Sequence, residues 1–210
     1  MGFVTAWIVA GALTPGYDPI DHAISRLAEV GAPHRGIMSA GFVVFGLGVP
    51  LYAIALRYAL GGLAWATAAV AGLATLGVAA FPLEGAAGND AHAAFAAVGY
   101  GALAATPILA ASELGRRRLL TWARLSWVCG LLSAICLAGS LIDPVTGLLQ
   151  RLGLTLVDAW IVATSIAILR ARSPSPEPRC ERRAASCGST PGAPPPARTP
   201  RPRWTGRSGG

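Results

Sequence analysis

The sequence predicts an all-α integral membrane bundle of about six transmembrane helices, and three observations carry that expectation. First, 53% of the 210 residues are hydrophobic and only 13% are charged, with a mean hydropathy of +0.53. A soluble domain carries roughly 25% charged residues. Second, the apolar residues fall in long charge-free runs. Third, arginines concentrate in every second connection between those runs. Together these exclude a soluble enzyme, a disulfide scaffold and a wholly disordered chain.

A spanning helix needs about 20 mainly apolar residues to cross a hydrocarbon core about 30 Å thick. Residues 37–56 are an uncharged run of 20, and 58–83 form another, interrupted only by Gly61 and Gly62 near its start. Residues 91–112 are uncharged apart from His92 at the edge. The runs 125–142 and 152–169 follow, the latter containing Asp158. A shorter apolar stretch, Phe3 to Leu13, reads as the end of a first span. It has no basic residue, unlike a secretory signal peptide, and Ala6 stands where myristoylation would want Ser or Thr.

Orientation follows from the arginines. Arg57 lies in the 57–62 connection, and Arg116, Arg117, Arg118 and Arg124 lie in or beside the 113–124 connection. Arg170 and Arg172 follow the last span. The alternate connections, 14–36, 82–90 and 143–151, are poorer in arginine. The expectation is a bacterial cytoplasmic membrane protein with both termini cytoplasmic. Residues 1–172 form the membrane domain and carry a net charge of +2; residues 173–210 carry +5. This Pro- and Arg-rich tail has too little apolar surface to fold and reads as disordered. Because the basic charge belongs to the tail, nucleic acid is not an expected partner. Membrane lipids are, and homo-oligomerisation is left open.

Within the spans, Pro50 and Pro107 predict kinks. Gly41, Gly46, Gly48, Gly72, Gly77, Gly99 and Gly101 predict close helix approach. Cys129 and Cys136, seven apart, read as small hydrophobes on one helix face.

The 14–36 connection is the most informative. Asp18-Pro19 looks like an N-cap followed by proline at the first helical position, and Gly31 and Pro33 look like a stop. The spacing predicts a short amphipathic helix on the outer membrane surface. Ile20, Ile24 and Leu27 would share its buried face, and Asp18, His22, Ser25 and Glu29 the polar one. A serine nucleophile there lacks a visible base and oxyanion site, so no catalytic residue is assigned.

The chain has three histidines, His22, His34 and His92, all expected on the outer side with Glu84, Asp90 and Asp143. Three imidazoles and an open position would make a catalytic zinc site, although no local zinc-binding motif accompanies them. Arg151 and Asp158, two helical turns apart in the last span, would face the bundle interior or a wet cavity. The leading expectation is a non-enzymatic outward polar pocket of Asp18, His22, Arg26, His34, Glu84, His92, Arg151 and Asp158, binding a lipid headgroup, small solute or partner. The alternatives are a lipid hydrolase using zinc on His22, His34 and His92, and a secondary transporter, for which no internal repeat is visible.

The chain resembles a bacterial multi-pass membrane family known as domain of unknown function 998. The resemblance rests on Gly16-Tyr17-Asp18-Pro19, His22-Ala-Ile24-Ser25-Arg-Leu27, Gly31-Ala-Pro33-His34 and Met38-Ser-Ala-Gly41-Phe42. It is supported by Phe81-Pro82 followed by His92, and by Gly147-Leu-Leu-Gln150-Arg151 entering the last span. It covers residues 1–172 and implies a compact six-span bundle in the cytoplasmic membrane. It brings no activity and no catalytic residues. The first span is shorter than the family pattern, and the tail has no counterpart in it.

Overall fold

The structure, a computed structural model, describes residues 2–84, 89–141 and 145–172. The expected disordered tail, 173–210, and Asp143 lie outside the described residues.

Among the described residues, six α-helices run up and down: α1 (Gly2–Leu13), α2 (Arg35–Leu60), α3 (Ala64–Ala80), α4 (Asp90–Arg116), α5 (Leu120–Gly139) and α6 (Thr146–Arg172). Helices adjacent in sequence pack side by side, and α2 also meets α4 and α6. Four of them, α2, α4, α5 and α6, are long and apolar enough to cross a membrane, and no more than a third of each apolar window is buried inside the bundle. The remaining apolar surface faces outward, as hydrocarbon requires and water would not allow. α1 and α3 are apolar but shorter.

The expected run 58–83 divides differently in space. α2 continues to Leu60, and Gly61 and Gly62 then take positive φ values of 73° and 63°. That left-handed backbone comes cheaply only to glycine. The turn therefore falls where the two glycines stand, and α3 starts at Ala64.

Lipid supplies no hydrophobic drive between helices, so close packing and buried hydrogen bonds hold the bundle together. A methyl at Gly41 would stand 2.5 Å from Ala6 Cβ, and one at Gly72 would run into Pro50. These two positions tie α1 and α3 to α2. Gly48 and Gly101 do not serve as expected, since a methyl at either would meet nothing within 4 Å.

Hydrogen bonds cross between helices at Tyr52 and Thr164 (2.8 Å), Trp160 Nε1 to Ser126 Oγ (2.8 Å), Ser133 Oγ to the Gly153 carbonyl (2.8 Å) and Thr106 Oγ1 to Thr67 Oγ1 (3.0 Å). Each such bond contributes about 0.6 kcal/mol in a membrane protein. At the arginine-rich end, Arg117 donates to the carbonyls of Ala59 and Leu60, both at 2.9 Å, closing the last turn of α2.

The 14–36 connection departs most from expectation. It forms turns around residues 19–21 and a 3-10 helix at Ile24–Ala28, not an amphipathic α-helix. Asp18 Oδ1 accepts from the Ile20 N–H at 2.8 Å, making a local turn where a helix cap was expected. Ile20 is exposed, whereas Ile24, Leu27 and Ala28 are buried in the main core with Phe3, Met38 and Phe42. The segment is a plug in the end of the bundle, because its apolar side chains gain more contact inside than on the surface.

Candidate functional site

Two neighbouring assemblies lie at the plug end. The first clamps the plug. Arg151, near the start of α6, is only 7% exposed. Its Nη1 donates to the carbonyls of Pro19 (2.7 Å), His22 (3.1 Å) and Gly147 (2.8 Å), and its Nη2 donates to the Tyr17 hydroxyl. The guanidinium also lies against the rings of Trp7 and Tyr17, at 5.2 and 5.4 Å from their centroids. Carbonyl dipoles and aromatic faces thus stabilise the buried charge. Nε is buried without a hydrogen-bond partner among the described residues.

Tyr17 in turn donates to the carbonyls of His22 and Ala23, both at 3.1 Å. The Leu148 N–H donates to the Ile20 carbonyl at 2.8 Å, and the Val30 N–H to the Leu83 carbonyl at 3.0 Å. The plug is therefore fastened to α6 and to the α3–α4 connection.

Burial holds the Tyr17 phenol above its ordinary value near 10, while the adjacent Arg151 cation pulls it down. With the folded value raised, the stabilisation is complete below pH 10 and is lost as pH rises through the folded value. Wild-type plug protection, followed by hydrogen exchange across residues 14–34, is expected to fall above about pH 10. Tyr17→Phe should start from lower protection and lose that alkaline step. A step of equal size in the variant would show that Tyr17 is not its source.

The second assembly is a cavity of about 50 Å³ beneath the plug, which reaches α1, α2, α3, α4, α6 and the plug itself. Most of its wall is apolar. The polar side chains on it are Ser25, Thr75, His92, Tyr100 and Gln150. Gln150 is central: its Oε1 accepts from the Ile24 N–H at 2.6 Å, and its Nε2 donates to the Tyr100 hydroxyl.

His92 is placed by the start of α4. Asn89 caps that helix by accepting from the N–H groups of Ala91 (3.0 Å) and His92 (3.2 Å), and its own amide donates to the Pro82 carbonyl. The ring Nδ1 lies 2.8 Å from the Phe81 carbonyl. A carbonyl only accepts, so Nδ1 carries a proton, and in the Nδ1-protonated tautomer Nε2 is free to accept. His92 is buried, 6% exposed. Among the described residues, no Asp, Glu or Arg lines the cavity.

The expected pocket is therefore not a single site. His22 is half-buried beside the clamp, and its Nδ1 accepts from the Asp18 N–H at 3.1 Å. Asp18, Arg26 and Glu84 are exposed, and His34 is half-buried where α2 begins. Asp158 lies away from Arg151, in a lateral cleft with Phe3, Val44, Tyr52 and Ser165. The only ion pair among the described residues is Arg116 with Glu113, at the opposite end.

The three histidines do not converge either. Among the described residues no three His, Cys, Asp or Glu side chains form a group able to hold a metal ion. Sharing a side of the membrane set no distance between them. Sequence reasoning missed Tyr17, Tyr100, Gln150 and Trp7. For two of them a signal was present, since Tyr17 and Gln150 stand inside the blocks Gly16-Tyr17-Asp18-Pro19 and Gly147-Leu-Leu-Gln150-Arg151.

Fold and site define a multi-pass helical membrane protein with a plugged internal cavity. A family profile described as "Protein of unknown function (DUF998)" matches residues 1–167, and the chain belongs to that family. No curated protein and no solved structure matches it.

Proposed function

We propose that this protein binds an uncharged, hydrogen-bonding ligand in the cavity beneath the plug, on the outer side of the bacterial cytoplasmic membrane. The observation that carries the reading is the polar set Ser25, His92, Tyr100 and Gln150 brought together from the plug, α4 and α6 around one cavity. Among the described residues the lining offers hydroxyls, an amide and an imidazole but no Asp, Glu or Arg. A charged group entering it would lose hydration without gaining a counter-ion. A hydroxyl or carbonyl would gain partners at little cost.

Thermal unfolding in mild detergent, titrated with uncharged lipids, small alcohols and their charged analogues, tests the reading. A saturable rise in Tm with an uncharged hydroxyl compound is expected, weakened about fivefold in affinity by Ser25→Ala or His92→Phe. A preference for charged compounds, or equal binding by both variants, would remove the cavity from consideration.

The same reading places residues 57–63, 117–119 and the C-terminus in the cytoplasm, in accord with Arg57, Arg116, Arg117 and Arg118. Single cysteines in a background without native cysteines report this. A cysteine at position 18 should react with an impermeant maleimide in intact cells, and one at position 118 only after lysis. The reverse pattern would invert the assignment.

A further inference from the structure

We infer that the ligand is a lipid that reaches the cavity sideways from the bilayer, its chain lying in a groove between α4 and α5. This rests on the cavity reading above and names its ligand class.

α4 and α5 touch at Gly130, where a methyl would stand 2.8 Å from the Ala104 carbonyl and 3.1 Å from Pro107. From there toward the plug end a groove of about 510 Å³ opens on the outside of the bundle, extending to Ala93 on α4 and Leu141 beyond α5. Small residues make its α4 wall, among them Ala97, Gly101 and Ala105. A methyl added at Gly101 would meet open space.

Two residues belong to both spaces. Ala96 and Tyr100 line the groove and also the central cavity. Groove and cavity thus adjoin at these two residues, and Tyr100 carries the hydroxyl that Gln150 contacts.

Depth is consistent with a lipid. The 27 residues of α4 run about 40 Å, overhanging a core of about 30 Å by about 5 Å at each end. Ala96, six residues from the start of α4, then lies a few ångströms inside the hydrocarbon edge, just below the layer of glycerol and ester groups and level with the start of an acyl chain. From Ala93 to Ile108 the groove covers about 22 Å of helix axis, more than the roughly 15 Å depth of one leaflet's hydrocarbon. An acyl chain fits along it, with the uncharged polar end turned past Ala96 and Tyr100 toward Ser25 and His92.

The test uses a long-chain monoacylglycerol and free glycerol as probes on the full chain in mild detergent. Monoacylglycerol should bind wild type saturably, with glycerol at least tenfold weaker. Gly101→Leu, which fills the groove without a backbone clash, should weaken monoacylglycerol about tenfold, and Ser25→Ala about fivefold. Should Gly101→Leu fail to fold, a monoacylglycerol with a photoreactive chain applied to wild type should label residues 93–108 and 134–141. Glycerol binding as tightly as monoacylglycerol, with Gly101→Leu silent and Ser25→Ala weakened, would overturn the lateral route and leave the cavity reading standing. No saturable binding of either probe, or labelling spread evenly over all helices, would overturn this inference. Ser25→Ala without effect would remove the cavity reading as well.

Discussion

Replacing Arg151 by alanine is expected to release the plug. The substitution leaves the carbonyls of Pro19, His22 and Gly147 without their shared donor and takes a partner from the Tyr17 hydroxyl. The His22 carbonyl keeps the Tyr17 hydroxyl, the Gly147 carbonyl lies within α6 and Pro19 is exposed, so the expected cost is about 1–3 kcal/mol, that of one broken charge-assisted network. The effect should be local first. Trypsin in mild detergent should cut after Arg26 far faster in the variant, because Arg26 lies in the plug's 3-10 helix. Arg151→Lys keeps the charge but not the planar fork, and should fall between wild type and alanine. Cleavage after Arg26 at the wild-type rate in Arg151→Ala would show that the plug is held by its apolar residues alone.

Gly147→Ala tests the same clamp by addition of matter instead of removal. A methyl at this position would collide with the His22 carbonyl and come within 2.6 Å of the Pro19 carbonyl and 2.7 Å of Arg151 Nη1. Two of these neighbours are backbone atoms of the plug, so nothing can rotate away. Overpacking of this kind costs about 1–3 kcal/mol, against a gain of up to about 1 kcal/mol in helix propensity. The expected result is a lower Tm and faster cleavage after Arg26. Gly101→Ala, where a methyl meets nothing within 4 Å, is the matched control and should leave both unchanged. Equal behaviour of the two variants would remove the steric argument.

How much of this was legible in the sequence depends on the kind of signal. The long helices were legible because a missing charge over 18 or more residues has one dominant cause in a membrane chain. The α2–α3 turn was legible at Gly61-Gly62, although the uncharged run hid that it belongs between helices. The plug was not legible. Ile20, Ile24 and Leu27 have helical spacing, and spacing alone does not tell a surface helix from a compact turn pressed into the core.

The site divided along similar lines. Arg151 drew notice as a charge at the edge of a span, but its partners are carbonyls, which every residue carries and no sequence pattern marks. Tyr100 is uncharged and stood among apolar neighbours without a reason to be chosen, whereas Gln150 stood in a family block beside Arg151 but carried no charge to draw notice. The histidines were chosen for rarity and sidedness. Only His92 reached the cavity, placed there by Asn89 and Phe81.

The brevity of α3 has a consequence for the lipid around the protein. Its 17 residues give about 25 Å of helix, against about 40 Å for α4 and α6. A long helix relieves hydrophobic mismatch by tilting, and a short one cannot. The bilayer must thin beside α3, or Trp65 and its neighbours must be drawn inward. The rim of deformed lipid is then lopsided, deepest along one flank of the bundle. Such a protein lowers its energy where the membrane is already thin.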